Sequence, residues 1–279
     1  MGPTPGVDPL VPSVLVPSNF PPPLPVTLHV AMRLLLTNDD GIYSPGIRAL
    51  ARIARRFGEV CVVAPDVERS STGHAITSNR PLRFHETSFE GLDGYRVDGT
   101  PADCVALGMH RWGDVDVVLS GINMGPNIGN ALWHSGTLAG AKQGALFGRR
   151  GIALSTPVGD DEPDWERLAP FVEQALSLLL PDDTLQLVNV NLPPDPQALC
   201  WAKQSVRHYD GVVVPGTDPM GREHFWFTVE PVEATEEETD RWAVERGYVA
   251  MTPLRLDLTD HDGLRRAREQ HPLDVPSTS

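Results

Sequence analysis

Leu34, Leu35 and Leu36 run straight into Thr37-Asn38-Asp39-Asp40-Gly41. An unbroken aliphatic run of this kind suits a strand buried on both faces, as in a parallel sheet covered by helices. The run stops abruptly at two adjacent carboxylates and a glycine. In open α/β sheets, ligands bind outside the carboxyl ends of the strands. Two acids side by side in such a place repel each other unless a cation lies between them. The economical occupant is a divalent metal ion held by oxygen ligands.

The rest of the chain alternates in the same way. After a first strand at Arg33–Thr37, a helix is expected from Pro45, a residue suited to the first helical turn. Ile47, Leu50, Ala51, Ala54 and Phe57 form its apolar stripe, with Arg48, Arg52 and Arg55 opposite and Gly58 as the expected C-cap. A second strand, Val60–Ala64, leads to a polar loop, Arg69–His74. Residues 81–97 read as a hairpin turning at Gly91 and Gly94. A helix near Pro101 and a strand at Val115–Leu119 follow. That strand ends at Ser120-Gly121-Ile122-Asn123. A glycine-rich loop, Gly125–Asn130, then precedes His134-Ser135-Gly136-Thr137 and a small-residue helix, Leu138–Phe147. The series closes with strand Gly151–Ser155, helix Trp165–Leu180 and strand Leu185–Asn191. This alternation predicts a doubly wound, right-handed, mostly parallel sheet. Beyond residue 200 the pattern becomes β-rich. Val212–Val214 and Phe225–Phe227 suggest a hairpin, Glu236–Glu238 a solvated turn, and Tyr248–Leu256 a further strand. Residues 200–250 or so therefore read as an extended arm of the kind that packs on a second subunit.

Composition narrows the partners. A chain of 279 residues needs no covalent staple. Cys61, Cys104 and Cys200 have no CxxC or Cys/His zinc spacing, which suits a reduced cytoplasm. A net charge of −14 provides no footprint for a nucleic-acid polymer. An acidic chain can still take a small phosphate ester if a metal ion offsets the repulsion. Residues 1–31 are rich in proline, including Pro21-Pro22-Pro23, and lack any Lys or Arg. That excludes a basic signal-peptide region and a membrane helix, and predicts a disordered, PPII-like tail. Met32 opens the first strand and is a candidate translation start, with the tail then an artefact of gene annotation. A docking tail is the alternative. Residues 32–279 are expected to form one α/β domain.

Three strand ends carry oxygen: Asp39-Asp40, Ser70 and Asn123. In a parallel sheet all three lie on one edge. Two carboxylates, a hydroxyl and an amide are hard ligands suited to Mg²⁺ or Mn²⁺, with Ca²⁺ as a third choice, and ill suited to zinc. Gly41 permits the sharp turn that lets adjacent acids converge. Taken alone, Asp39-Asp40-Gly41 is equally a capped turn. In the loop from Gly121 to Thr137, the glycines allow close approach to a ligand. Ser135 or Thr137 can cap the next helix, whose N-terminus favours an anion. Asn127, His134, Ser135, Gly136 and Thr137 are the candidates for holding phosphate. The loop is no P-loop, since GxxxxGK[ST] is absent, and a poor GxGxxG. His74 or His134 could supply a general acid, His134 being favoured by its place beside the anion site. Lys142 is expected in a salt bridge or in solvent, and Asp98–Asp103 to cap a helix.

Together these segments resemble the SurE family of survival-protein nucleotidases. The resemblance is carried by Leu34–Gly46 (LLLTNDDGIYSPG), Val63–Thr77 (VAPDVERSSTGHAIT), Gly99–Val105 (GTPADCV), Ser120–Ser155 and Tyr248–Thr259 (YVAMTPLRLDLT). It implies a metal-dependent phosphatase acting on nucleoside 5′- and 3′-monophosphates, with some action on short polyphosphate. It also implies a Rossmann-like fold whose β-rich arm is exchanged in homodimers or homotetramers. The family's metal ligands map onto Asp39, Asp40, Ser70 and Asn123. Val67 departs from the family's basic residue at that position. On this expectation Asp39 and Asp40 are catalytic, Asp39 as base or nucleophile. The rival expectation is a non-catalytic, metal- or nucleotide-binding regulatory module. A phosphatase using an Asp-x-Asp nucleophile is disfavoured by the adjacent pair.

Overall fold

The aliphatic run is a central strand. In the computed structural model, which describes residues 31–159, 161–206, 211–229 and 236–272, Met32–Thr37 forms β1. It pairs in parallel with a strand on each side, and Leu34, Leu35 and Leu36 are wholly buried. The later elements are α1 (Pro45–Ala54), β2 (Gly58–Pro65), β3 (Phe84–Phe89), β4 (Leu92–Val97), α2 (Pro101–Trp112), β5 (Val117–Met124), α3 (Gly136–Leu146), β6 (Arg150–Thr156) and α4 (Trp165–Leu179). They continue with β7 (Leu187–Asn191), β8 (Ala198–Trp201), β9 (Gly211–Thr217), β10 (Glu223–Val229), α5 (Asp240–Glu245), β11 (Tyr248–Pro253) and α6 (His261–Gln270). The tail expected over residues 1–31 lies outside the described residues apart from Ala31.

Nine strands form one sheet in the order β3-β4-β2-β1-β5-β6-β7-β11-β8. From β4 to β7 neighbours are parallel, while β3 and β11 run antiparallel to β4 and β7. Alternate residues of β1 face opposite layers. Leu34 and Leu36 join the core built with α1 and α4, and Leu35 joins the one built with α2. The doubly wound, mostly parallel sheet expected from the sequence is what forms. Strand order reverses at β1, whose neighbours are β2 and β5. The crevice outside the carboxyl ends of β1 and β5 is therefore the topological switch point of the sheet.

Several local expectations need correction. Gly58 does not cap α1, which ends at Ala54 with Arg55 as its C-cap. Gly58 instead opens β2 where a Cβ would lie 2.0 Å from the Met32 carbonyl oxygen. The β3–β4 hairpin turns at Glu90 and Gly91, both at positive φ (47° and 73°), as a two-residue primed turn requires. Gly94 lies inside β4. The third parallel strand does not stop at Leu119. It continues to Met124, with its pairing to β6 irregular between Ser120 and Asn123. β8, α5 and α6 have no counterpart among the expected elements.

The small-residue helix has a specific purpose. Gly136, Gly140 and Gly144 recur every four residues along the face of α3 that meets the sheet. A Cβ at Gly140 would lie 2.7 Å from both Ser120 Oγ and Thr37 Cγ2, and one at Gly144 would lie 2.5 Å from Val118 Cγ2. Bare Cα atoms thus let α3 press onto β1 and β5, which brings its N-terminus onto the end of β1. The hairpin expected after residue 200 is present as β9 and β10, with Val213, Val214, Phe225, Trp226 and Phe227 exposed. Residues 207–210 and 230–235 of the expected arm lie outside the described residues. Among the described residues, no helix is long and apolar enough to cross a membrane.

Candidate active site

The turn after β1 is built by its own side chains. Asn38 Nδ2 donates to the Gly41 carbonyl at 3.0 Å and to Ser44 Oγ at 2.8 Å, while Gly41 takes a φ of 93°. The two acids then leave in different directions. Asp39 is buried against α3, where Thr137 Oγ1 donates to its Oδ1 at 2.6 Å and the Thr137 amide also donates to it. Asp40 is half-buried against β5, its Oδ2 accepting the Met124 N–H at 3.2 Å.

Both carboxyls are hard to ionise here. Burial, the largest cause, raises Asp39, although the Thr137 bonds partly counter it. Burial and then the neighbouring Asp39 charge push Asp40 up to about 6. Glu68 adds repulsion to both, and the groups acting on them include no lysine or arginine among the described residues. Asn123, on the last residues of β5, spends its Nδ2 on the Gly125 carbonyl at 2.7 Å, which leaves its amide oxygen as the coordinating end. Among the described residues no third His, Cys, Asp or Glu forms a metal-holding group with the pair. The donor set is then two carboxylates and neutral oxygens. Such donors, on two uncompensated acids, fit a hard divalent cation.

The other candidates are placed as follows. Ser70 is exposed and donates to Glu68 Oε1 at 2.6 Å; its loop is tied to the acid turn by the Arg69 N–H on the Asp39 carbonyl at 2.7 Å. Ser135 caps α3, its Oγ accepting the Leu138 N–H at 2.9 Å. Gly136 lies directly under Asp39: a Cβ there would come within 2.8 Å of Asp39 Oδ2. The anion at this helix terminus is thus the protein's own carboxylate. Asn127 is buried, donating to Ser155 Oγ at 2.8 Å and to Thr137 Oγ1 at 3.3 Å. Ser155, Asn127, Thr137 and Asp39 so form one continuous hydrogen-bonded chain. His134 is exposed and accepts the Gly73 N–H on its carbonyl, joining the two loops. His74 Nε2 lies 2.7 Å from Gln143 Oε1. Lys142, expected in a salt bridge or in solvent, is half-buried, which lowers its pKa, and joins no ion pair among the described residues. Thr100 and Asp103 form a capping box on α2, as expected of that segment.

Sequence reasoning missed Asn189 and Asn191. Both are fully buried on β7 and both donate to the Asn127 carbonyl, at 2.7 and 3.0 Å; Asn191 Oδ1 also accepts the Asn127 N–H at 2.9 Å. Their signal was there to read, as two amides on one face of an aliphatic strand, where an unpartnered polar group is costly.

The family model described as "Survival protein SurE" matches residues 34–211. The 5′-nucleotidase SurE 1 of Thermus thermophilus is 46% identical over 237 residues, covering 82% of this chain and 94% of that protein. The 5′-nucleotidase SurE of Deinococcus radiodurans is 42% identical over 241 residues, covering 82% of this chain and 89% of that protein. The crystal structure of the SurE protein from Aquifex aeolicus matches with a TM-score of 0.74 at 36% identity, covering 85% of this chain and 99% of that one.

Proposed function

The chain belongs to the SurE family, and from that premise we propose that it is a 5′-nucleotidase, a phosphomonoesterase releasing phosphate from nucleoside monophosphates. Its substrates include 3′- as well as 5′-monophosphates, and short polyphosphate as a lesser one. The reaction depends on one divalent ion, Mg²⁺ or Mn²⁺ ahead of Ca²⁺. The observation that carries this reading is the pair Asp39 and Asp40, two buried or half-buried acids at the switch point that join no salt bridge among the described residues.

Asp39, Asp40, Ser70 and Asn123 would hold the ion. When bound, the ion supplies neutralisation of phosphate charge and activation of water. The protein's own groups supply the rest. Thr137 holds Asp39 Oδ1 through its hydroxyl, so the carboxylate keeps one orientation and serves as base or nucleophile. Ser135, Gly136 and Thr137 form the α3 terminus that already faces Asp39, beside which the phosphate would sit, and Asn127, whose Nδ2 is spent on Ser155 and Thr137, braces that terminus rather than donating to phosphate. His134, exposed beside that terminus, is the acid for the leaving alkoxide. The exposed apolar side chains of β9 and β10 favour assembly into a homodimer or homotetramer through the arm.

The decisive assay is phosphate release from 5′-AMP with Mn²⁺, repeated with EDTA. Release that EDTA abolishes is the expected result. AMP bound without release would turn the reading to a regulatory module. A second outcome concerns Thr137. Hydrogen bonds to charged groups contribute roughly 1.5–3 kcal/mol, so Thr137→Val should lower kcat/KM about 10- to 100-fold. Mn²⁺ affinity measured by calorimetry should survive; its loss would mean that Thr137 serves the metal ligands alone.

A further inference from the structure

A fully buried carboxylate stands outside the acid pair, where the arm joins the body. Lys203 and Thr239, on either side of the β9–β10 excursion, form a parallel bridge. The Lys203 N–H donates to the Glu238 carbonyl and the Asp240 N–H to the Lys203 carbonyl, each at 2.9 Å. Both ends of the excursion are thereby pinned at one point. Asp240 is the next residue, fully buried at the start of α5.

Its oxygens divide their partners. Oδ1 accepts the N–H of Ser205 at 3.1 Å and of Arg241 at 2.8 Å. Oδ2 accepts the Gly129 N–H at 2.8 Å, across 111 residues of sequence. Gly129 is held from its other side as well, since Gln204 Nε2 donates to its carbonyl at 2.9 Å. It has a φ of 57°, and a Cβ there would lie 3.1 Å from the Ser205 carbonyl oxygen. Gly129 is two residues beyond Asn127 and opens the 3-10 turn Gly129–Trp133 that delivers His134 and Ser135.

We infer that Asp240 is a positioning residue for the nucleotidase site, fixing Gly129 so that the loop from Asn127 to His134 is held in place beside the acid pair, and tying that loop to the root of the arm. The inference rests on the nucleotidase reading above. Burying a carboxylate is costly unless its hydrogen bonds need the charge. An amide could not replace it, because its NH₂ would face one of the N–H donors that now share the two oxygens.

The test uses the full chain with Mn²⁺ and 5′-AMP. Asp240→Asn should raise KM about tenfold and, because the same turn delivers His134, lower kcat several-fold, with Mn²⁺ affinity within about twofold of the parent. Gln204→Met, which releases the same peptide from its carbonyl side, should raise KM about threefold. Unchanged KM in both variants, with only the melting temperature lowered, would reduce Asp240 to an anchor of the fold and overturn the inference. A fall in Mn²⁺ affinity would overturn it too, by placing the effect at the acid pair. If Asp240→Asn yields no folded protein, Gln204→Met decides alone. A parent protein that releases no phosphate would sink the nucleotidase reading instead. Calorimetry with inorganic phosphate then still judges Asp240, whose variant should bind it more weakly than the parent; equal binding refutes the inference.

Discussion

Asp40→Asn should lose phosphate release from 5′-AMP by about a hundred- to a thousandfold and yet, in EDTA near neutral pH, melt at a higher temperature than the parent. The two effects share one cause. Burial and the Asp39 charge hold the Asp40 carboxyl at about 6, above its ordinary 3.8. The folded state therefore holds this proton more tightly than the unfolded state does. The stability it contributes is complete below the ordinary value and is lost as pH rises through about 6. At neutral pH the ionised pair works against the fold. A shift of this size corresponds to about 3 kcal/mol before solvent screening, and to about 1–2 kcal/mol for a half-buried group. For a domain of this size, that is a rise of about 3–6 °C in melting temperature. The amide oxygen can still accept the Met124 N–H, so shape is preserved. At about pH 4, where the parent's Asp40 is protonated, the difference should vanish. Adding Mn²⁺ should reverse the order, because ligand binding stabilises only the chain that retains its ligands. A variant no more stable than the parent in EDTA would show that the acids do not strain the fold; one with full activity would remove Asp40 from the site.

What the sequence disclosed depends on how far each signal travels. The buried β1, the apolar stripe of α1, the Thr100–Asp103 capping box and the β3–β4 and β9–β10 hairpins all rest on neighbours within a few residues. Periodicity and turn chemistry report such contacts directly. So did the acid turn, since Asp39, Asp40 and Gly41 are adjacent. Gly58 misled because a glycine after a helix has two uses, and only the Met32 carbonyl, brought in by sheet pairing, decides which applies. The aliphatic run ends at Leu119, yet the sheet absorbs Gly121 and the strand runs on to Met124. The short edge strand Ala198–Trp201 carries no aliphatic run to announce it. Thr137 was legible as a cap residue, but its bond to Asp39 crosses 98 residues. The clamps of Asn189, Asn191 and Asp240 on the loop carrying Asn127 and Gly129 are equally remote. A single sequence shows which residues have chemistry to offer, whereas the crossover connections of the sheet decide where it is spent.

Gly136→Ala should damage activity far more than one added methyl ordinarily does, although local reasoning points the other way. In a helix, alanine is favoured over glycine by about 1 kcal/mol, and Gly136 does not have a positive φ. The obstacle is Asp39. The added Cβ would lie 2.8 Å from Asp39 Oδ2 and 2.9 Å from Asp39 Cβ. A carboxylate oxygen can swing aside, but a Cβ moves only with its backbone. That backbone is held by the Arg69 N–H on the Asp39 carbonyl and by the end of β1. The helix must therefore lift, and its first turn carries Thr137, so the 2.6 Å bond to Asp39 opens. A displacement of about 1 Å at reacting groups costs on the order of a hundredfold in rate. kcat/KM for 5′-AMP should fall at least that far, with weakened Mn²⁺ binding. Gly144→Ala is the control. Its Cβ meets Val118 at the far end of the same helix, so overpacking should cost about 1–3 kcal/mol of stability and leave kcat/KM within about threefold of the parent. Equal loss of activity in the two variants would mean that α3 responds as a rigid rod and that its N-terminus has no special relation to Asp39. Full activity in Gly136→Ala would show that the close approach of helix and carboxylate is dispensable.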